Sequence, residues 1–327
     1  MSRLRIALLV SILALPVSGC TRLSAPAAQP PVAQASIARF LGDRPAAISL
    51  TFDDGFASAT DDTVAMLEPL GFRGTFFPTV ANVRDTRGQS LSWAEWKALE
   101  ARGYEVGNHS LTHADLTKAD ATTLEKEVNG AFDLMAEHMG RAPFSFCYPY
   151  NARNAAAQAV VEQRHRAQTG PGRLTYGGEK WTLEQANARV DDAIEKSRWL
   201  VAMLHGVKSG YSAFENPDDF AAHLRYLQDH ADRIWVAPYG QVARYAQERD
   251  SAELKCEVEK RRAVFTLTCG LDPAVYNQPL TVVLPAAGAT RAEARRQGAA
   301  TPLPASVRPD AVTVDVVPGP EPVTVRW

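Results

Sequence analysis

Two adjacent carboxylates and two nearby histidines are the residues of this sequence best suited to chemistry. Asp53 and Asp54 follow an apolar run over 47–52. Neighbouring acids at the end of a buried strand repel each other and lose solvation, so a positive charge or a chemical task should accompany them. His109 and His113 are four residues apart in the segment NHSLTH. On a helical turn this spacing points both imidazoles the same way, as a shared metal ion requires.

Two more polar groups follow apolar runs. His205 comes directly after the run 199–204, and the segment YPYN over 148–151 follows another run that starts at 144. Each group lies at the carboxyl end of a predicted parallel strand, where the active sites of (β/α) barrels assemble. Singly, an Asp-Asp-Gly turn, a solvated histidine pair or a strand-end tyrosine is ordinary. Their joint occurrence at strand ends predicts one site.

The elements that must position these residues alternate between β and α patterns from about 46 to 247. Apolar strand patterns cover 47–52, 74–78, 104–106, 144–148, 199–204 and 234–237. Helical patterns between them cover about 62–70, 92–103, 123–139, 155–163, 183–197, 218–230 and 241–247. Ser92 and Glu95 predict a capping box at the start of the second of these helices. Alternating units with apolar strands predict a parallel sheet, as an open or closed barrel.

A different pattern follows residue 250, where short β runs and prolines replace helices. We predict a small all-β accessory module over 251–327. Two of its β runs carry Cys256 and Cys269 on their apolar faces. A hairpin turning near 260–263 would place these cysteines opposite each other, and a disulfide there would stabilise the fold by about 3 kcal/mol. The alternative is two independent buried thiols.

The N-terminus is typical of a targeting segment. Arg3 and Arg5 precede an apolar run over 6–17 that is short for a membrane span but suits a signal peptide. The segment VSGC ending at Cys20 resembles the lipobox of bacterial lipoproteins, which implies cleavage before Cys20 and lipidation of its thiol. We therefore expect a signal peptide over 1–19, a flexible tether over 20–45 and a lipid-anchored protein of the cell envelope. The periplasmic face of the outer membrane is the expected place if the cell is Gram-negative. A plain secretory signal is the alternative.

Bulk composition excludes few functions. The chain has 327 residues, 46% of them hydrophobic, and a formal net charge of -2. This near-neutral balance gives no support for a nucleic-acid partner or a polybasic membrane surface.

Several motifs together resemble the polysaccharide deacetylases with a NodB homology domain, carbohydrate esterase family four. They are TFDDG at 51–55, HSLTH at 109–113, LH at 204–205 and WVAPYG at 235–240. The resemblance covers the region 46–250 and implies a distorted (β/α)7-type barrel, here followed by the β-rich module. It also implies a hydrolase that removes acetyl groups from an N-acetylated or O-acetylated polysaccharide outside the cytoplasm. The alternatives are a catalytically silent glycan-binding lipoprotein and an amidohydrolase of a small non-sugar amide.

The resemblance also implies the parts of a metal site. Asp54, His109 and His113 would hold a divalent metal, for which zinc is the default and cobalt, nickel or iron also suit the ligand set. Asp53 would then remain ionised beside this positive charge and act as the general base.

The remaining roles are implied in the same way. His205 would act as the general acid, and the backbone N–H of Tyr150 would stabilise the oxyanion. Leu204 would border the pocket for the acetyl methyl group.

Two departures from the family pattern concern groups that support the site. Cys147 stands where the third family motif usually has an arginine that orients the base aspartate. A neutral thiol lacks the charge of an arginine. We therefore expect that another group orients Asp53, or that the Asp53 side chain is held less firmly. The fourth motif has no clear equivalent, since Asp191 and Asp192 fall in the middle of a predicted helix.

Overall fold

Strands and helices alternate along the first three quarters of the chain, and strands alone follow. The computed structural model describes residues 34–170, 174–175, 180–208, 213–214 and 216–327. The strands are β1 (Ser36–Ile37), β2 (Ala46–Asp54), β3 (Thr75–Pro78), β4 (Glu105–Val106), β5 (Ser145–Phe146), β6 (Ala167–Gln168), β7 (Leu174–Thr175), β8 (Trp199–Leu204), β9 (Ile234–Val236), β10 (Ala252–Glu259), β11 (Arg262–Cys269), β12 (Leu280–Pro285), β13 (Glu293–Arg296), β14 (Ala305–Val307), β15 (Ala311–Val316) and β16 (Gly319–Arg326).

The helices lie almost entirely in the first part. They are α1 (Ala57–Leu67), α2 (Trp93–Ala101), α3 (Ala121–Glu125), α4 (Ala131–Met139), α5 (Ala155–Arg164), α6 (Leu183–Glu195), α7 (Pro217–Asp229) and α8 (Tyr239–Ser251). A π-helical segment, Lys126–Gly130, joins α3 to α4, so one predicted helix is a continuous helix with a wide turn in its middle. The predicted capping box at the start of α2 is confirmed, with Ser92 and Glu95 bonding each other's backbone N–H.

The central strand of the parallel sheet is β2, and its first eight residues are buried. Such an unbroken apolar run is typical of a strand covered on both faces. The strand order is β4-β3-β2-β8-β7, β9 also pairs with β2, and every pairing is parallel. The parallel pair β5–β6 continues from β4 through a bridge between Asn108 and Phe146.

This topology confirms the predicted fold class. Parallel strands with helices between them form a distorted barrel that stays open among the described strands. The carboxyl ends of β2, β4, β5 and β8 lie on one side, as parallel pairing requires.

The seven C-terminal strands, together with β1, form two antiparallel four-stranded sheets, ordered β1-β12-β15-β14 and β10-β11-β16-β13. Their inner faces share an apolar cluster with Val242 and Tyr245 of α8. The prediction of an additional all-β region is therefore confirmed. Residues 34–327 form one compact unit, and the predicted boundary between 250 and 251 stays a prediction.

The predicted tether over 20–45 is wrong in its last part. Ser36 and Ile37 pair with Val283 and Val282 of β12, and Leu41–Asp43 is a 3-10 helix. Phe40 is 4% exposed, so an apolar side chain anchors this segment to the β region. Residues 1–33, including the predicted signal peptide and Cys20, lie outside the described residues.

The predicted disulfide between Cys256 and Cys269 is also wrong. The β10–β11 hairpin turns at 260–261, which pairs Cys256 with Phe265 and Cys269 with Ala252. The two cysteines therefore lie four ladder positions apart and are not joined by a disulfide. The turn is tighter than expected, and the register follows the turn.

Within the described part of the chain, every helix is too short or too polar to cross a lipid bilayer.

Candidate active site

The paired carboxylates lie at the last two positions of β2, where the backbone reverses. Asp53 is 3% exposed and Asp54 is half-buried. Asp54 has a φ of 71° and Gly55 a φ of 71°, a left-handed conformation that aspartate tolerates better than most residues. A Cβ on Gly55 would lie 2.6 Å from Pro78 Cβ, so glycine is required there. This sharp turn separates the directions of the two carboxylates.

His109 is fixed in one tautomer by a backbone contact. Its Nδ1 lies 2.9 Å from the carbonyl oxygen of Cys147, to which it donates. Its Nε2 therefore faces the other way, 3.6 Å from Asp54 Oδ1. The ring is 1% exposed. His109 thus presents one nitrogen to Asp54 from a rigid, buried position.

His113 reaches the same carboxylate from a loop, so the predicted helical turn is wrong. Ser110 and His113 have φ values of 65° and 64°, which no helix contains. His113 N–H donates to Ser110 Oγ at 3.0 Å, and this compact turn brings the two imidazoles together with ring centres 4.8 Å apart. His113 Nε2 lies 3.3 Å from Asp54 Oδ1.

The surroundings of this loop were missed by the sequence analysis. Glu127 in the π-helical segment accepts from Thr112 N–H at 2.9 Å and from Thr112 Oγ1 at 2.6 Å. Asn108 donates to Val128 O at 3.2 Å and contacts His165 Nε2 at 3.1 Å. In the sequence, Glu127 lies within a helical pattern and is therefore expected to be solvated. The π-helical turn, which the sequence does not predict, is what directs its side chain towards the loop.

The three side chains fit a divalent cation. One donor atom from each of Asp54, His109 and His113 lies within 4.8 Å of the others, and both histidine Nε2 atoms face the same carboxylate oxygen. Three lone-pair donors converging in a half-buried place are costly without a positive charge between them. One carboxylate and two imidazoles form a donor set that zinc and related metals accept, with positions left for water and substrate.

Electrostatics couples these groups. Burial raises the pKa of Asp54, but the hydrogen bond from His109 and the charges of the three histidines outweigh it and bring the pKa below its ordinary 3.8. Burial lowers the pKa of His109, whereas Cys147 and Asp54 raise it well above 6.5. Burial and the neighbouring His109 lower the pKa of His113. The charge of each of these side chains therefore shifts the pKa values of its neighbours.

The other predicted site residues lie around this group. His205 follows β8, whose Leu204 pairs with Phe52 of β2, and His205 Nε2 lies 4.0 Å from Asp54 Oδ2. Leu204 itself is fully buried. Tyr150 has a φ of 58° and is 68% exposed, with its ring centre 4.6 Å from that of His113.

The structure separates Asp191 and Asp192 from the site. Asp191 accepts from Tyr226 Oη at 2.5 Å, and Asp192 pairs with Lys196 and Arg198. Neither is the partner of His205.

Asp53, finally, meets a thiol. Cys147 Sγ lies 3.4 Å from Asp53 Oδ2 in a fully buried position. The sequence led us to expect that Cys147 would not orient Asp53, but the Cys147 side chain contacts the Asp53 carboxylate.

Comparison with known proteins gives one family and several relatives. Residues 42–166 match the family described as polysaccharide deacetylase. The chain is 26% identical to gellan lyase from a Bacillus species over 285 residues, which is 76% of this chain and 11% of that protein. It is 32% identical to a chitin deacetylase from Arthroderma benhamiae over 107 residues, 32% of this chain and 28% of the relative. The matched part thus spans less than two thirds of either relative.

Solved structures resemble the chain more loosely. Peptidoglycan deacetylase PdaC from Bacillus subtilis aligns with a TM-score of 0.47 and 21% identity, covering 63% of this chain and 93% of that one. A family 4 acetyl xylan esterase from Clostridium thermocellum, in complex with a cobalt ion, aligns with a TM-score of 0.47 and 19% identity, covering 60% and 89%.

Proposed function

We propose that this chain, which carries a polysaccharide deacetylase domain over residues 42–166, is a metal-dependent hydrolase that removes acetyl groups from a polysaccharide. The observation that supports this most is the meeting of Asp54 with His109, His113 and His205 at distances of 3.6, 3.3 and 4.0 Å. Asp53 precedes Asp54 in the chain, which puts the proposed base next to the proposed cation site.

The proposed cation ligands are Asp54, His109 and His113. A divalent metal held there would polarise the acetyl carbonyl and acidify the attacking water. Zinc is the metal we propose first, with cobalt, nickel or iron as substitutes.

Asp53 is proposed as the general base. Water adds to the acetyl carbonyl carbon and gives its proton to the Asp53 carboxylate. Asp53 is 3% exposed, so bulk water competes little for this carboxylate. Asp54 contacts His109 and His113, which supports a ligand role for Asp54 and leaves Asp53 available to accept a proton.

His205 is proposed as the general acid. As the bond between the carbonyl carbon and the sugar nitrogen or oxygen breaks, His205 gives a proton to the leaving atom. The products are acetate and a free amine or hydroxyl group. The backbone N–H of Tyr150 is proposed to bind the developing oxyanion, and Leu204 to form the apolar wall beside the acetyl methyl group.

The proposed substrate is an envelope or extracellular glycan. Relatives named chitin deacetylase and chitooligosaccharide deacetylase support an N-acetylated sugar. The lipobox-like segment at Cys20 supports a lipid anchor in the cell envelope, where such polymers occur. We propose that the protein is located in the cell envelope and anchored there through Cys20.

Acetate release tests this function directly. The full chain would be stripped with a chelator, reloaded separately with zinc and cobalt, and assayed on chitin oligomers, peptidoglycan fragments and acetylated xylan. We expect acetate from at least one N-acetylated or O-acetylated glycan, loss of release after stripping, and recovery on reloading. Release that survives complete stripping would contradict metal dependence, and no release from any of the glycans would contradict the deacetylase function.

A further inference from the structure

Cys147 occupies an aromatic pocket behind the proposed base. It follows β5 and is fully buried. Phe77 and Tyr239 form its apolar cluster, and the half-buried Trp199 packs against them. An aromatic enclosure of this kind restricts the directions in which the short side chain can point.

The Cys147 thiol faces a charged acceptor. Sγ lies 3.4 Å from Asp53 Oδ2 and 3.9 Å from the carbonyl oxygen of Tyr148. The carboxylate is nearer and carries charge, so it is the stronger acceptor. The thiol is therefore placed to donate a hydrogen bond to Asp53 Oδ2.

The backbone of the same residue holds a proposed metal ligand. Cys147 O accepts from His109 Nδ1 at 2.9 Å, and Cys147 N–H donates to Asn108 O at 2.8 Å. One residue thus contacts the base through its side chain and a histidine ligand through its carbonyl group. The distance between base and ligand is set through Cys147.

We infer that Cys147 is a positioning residue that orients Asp53 through an S–H···O hydrogen bond while its carbonyl oxygen orients His109. This inference rests on the proposed function, because it assigns Asp53 the role of base. The weak thiol donor takes the position at which family resemblance leads one to expect an arginine. Phe77, Trp199 and Tyr239 crowd this position with aromatic rings, and a small neutral donor fits among them.

A second reading gives Cys147 the role of a metal ligand. One donor atom each of Asp53, His109 and Cys147 lies within 4.8 Å of the others. His109 Nδ1 is engaged by the Cys147 carbonyl, so only Nε2 can bind a metal, and Nε2 faces Asp54. A cation at the thiol would then take His109 away from Asp54 and His113. We therefore favour the positioning role, and metal content distinguishes the two.

Three cysteine variants of the full chain test the inference kinetically. Cys147→Ala removes the donor, Cys147→Ser keeps one, and Cys256→Ser is a control in the β region. We expect kcat of Cys147→Ala to fall about tenfold, as loss of a hydrogen bond to a charged group predicts, with KM and bound zinc unchanged. Cys147→Ser should recover kcat to within about threefold of wild type, because a hydroxyl donates to the same carboxylate.

A spectroscopic readout tests the contact without activity. The Raman difference spectrum between wild type and Cys147→Ala isolates the S–H stretching band of Cys147. A bond to Asp53 predicts a band at lower frequency than that of an unbonded thiol, moving to higher frequency in Asp53→Ala.

The outcomes separate the inference from the function it rests on. An unshifted band in Asp53→Ala, or full kcat in Cys147→Ala, would overturn the positioning role while leaving the deacetylase intact. Loss of zinc from Cys147→Ala would overturn it in favour of a thiol ligand. If wild type releases no acetate, the proposed function fails, and the S–H band still decides whether Cys147 holds Asp53.

Discussion

Asp53 and Asp54 are neighbours in the sequence, but their carboxylates meet different surroundings. Asp54 lies within 3.3 to 4.0 Å of three histidine nitrogens, whereas Asp53 is buried against the Cys147 thiol. Successive side chains of a strand point in opposite directions, and Asp53 and Asp54 are the last two residues of β2. Two identical groups can therefore serve as ligand and base.

Replacing Asp53 by asparagine should separate these roles. Asp53→Asn keeps the shape but cannot accept the proton, so we expect kcat to fall by at least about 100-fold. Bound zinc should stay at the wild-type level, because Asp54, His109 and His113 are unchanged. Acetate release and elemental analysis on the same sample measure both effects. Near-normal turnover in this variant would remove the base assignment.

At the scale of elements, the histidine loop depends on the π-helical segment beside it. Glu127 accepts both Thr112 donors with its side chain, and Glu127 O accepts from Leu111 N–H at 2.9 Å. A π turn widens the helix locally, and such turns are frequent at functional sites. Here the wide turn directs a buried carboxylate to the loop that carries His113.

Glu127→Gln should weaken cation binding. The amide retains one acceptor oxygen, so one Thr112 donor loses its partner and the loop holds His113 less firmly. We expect zinc affinity to fall about tenfold, as for other groups that support metal ligands. Competition with a chelating dye measures the change, and Glu137→Gln, an exposed position on α4, is the matched control. Equal affinities for both variants would show that Glu127 does not support the site.

The sequence predicted those features well that depend on interactions between residues close together in the chain. The Ser92 and Glu95 capping box and the apolar run of β2 depend on residues close in sequence, and both predictions are confirmed. The helical turn through His109 and His113 was wrong because the partners that shape this loop, Glu127 and Ser145, come from elsewhere in the chain. The convergence of the histidines was predicted from strand ends, but the backbone that achieves it was not.

At the scale of the whole molecule, α8 joins the barrel region to the β sheets. Gly240, in its first turn, donates its N–H to Glu105 Oε2 at 2.6 Å. Glu105 is buried and also accepts from Thr75 at 2.9 Å and Ser145 at 2.7 Å. The Glu105 carboxylate thus links β3, β5 and its own strand β4 to the start of α8. These hydrogen bonds fix its position.

Gly240→Ala should therefore destabilise the fold. The added Cβ would lie 2.8 Å from Glu105 Cδ, and the fixed carboxylate cannot withdraw. We expect the free energy of unfolding to fall by about 1–3 kcal/mol, as for overpacking in a core. Gly270→Ala is the control, since nothing lies within 4 Å of its added Cβ. Denaturant titration compares them, and equal stabilities would contradict the packing argument.

A second contact of α8 makes stability depend on pH. Glu248 is fully buried, and both of its carboxylate oxygens lie 3.0 Å from Gln278 N–H. Burial raises the pKa of Glu248 from 4.5 to about 7, against the opposing effects of Gln278 and Arg244. Between these pH values the folded chain keeps a proton that the unfolded chain releases. The contribution of Glu248 to the free energy of unfolding is therefore full below pH 4.5 and is lost as the pH rises through 7.

Glu248→Gln should remove this dependence. The stability of wild type relative to the variant is expected to decline as the pH rises from 4.5 to about 7 and then to level off. Denaturant titrations of both proteins at several pH values give this difference, in which the other titrating groups cancel. A flat difference, or one that grows with pH, would rule out the raised pKa.

The sequence predicted the large-scale division into an α/β region and a β region, because the change of periodicity near residue 250 is strong. It did not predict that Ser36 and Ile37 would pair with β12, since two residues carry too little pattern to define a strand. The prediction of a disulfide between Cys256 and Cys269 was wrong for a related reason. One change in hairpin turn length shifts the whole register, and the residues 260–261 do not reveal the turn.

The central claim is that Asp54, His109 and His113 hold one cation, and cation titration tests it most directly. The full chain would be stripped with a chelator and titrated with zinc by equilibrium dialysis, beside Asp54→Asn and the exposed control Asp133→Asn. Wild type and Asp133→Asn are predicted to bind one zinc ion with equal affinity, and Asp54→Asn to bind at least about tenfold more weakly. Zinc binding by Asp54→Asn with wild-type affinity and stoichiometry would contradict the account.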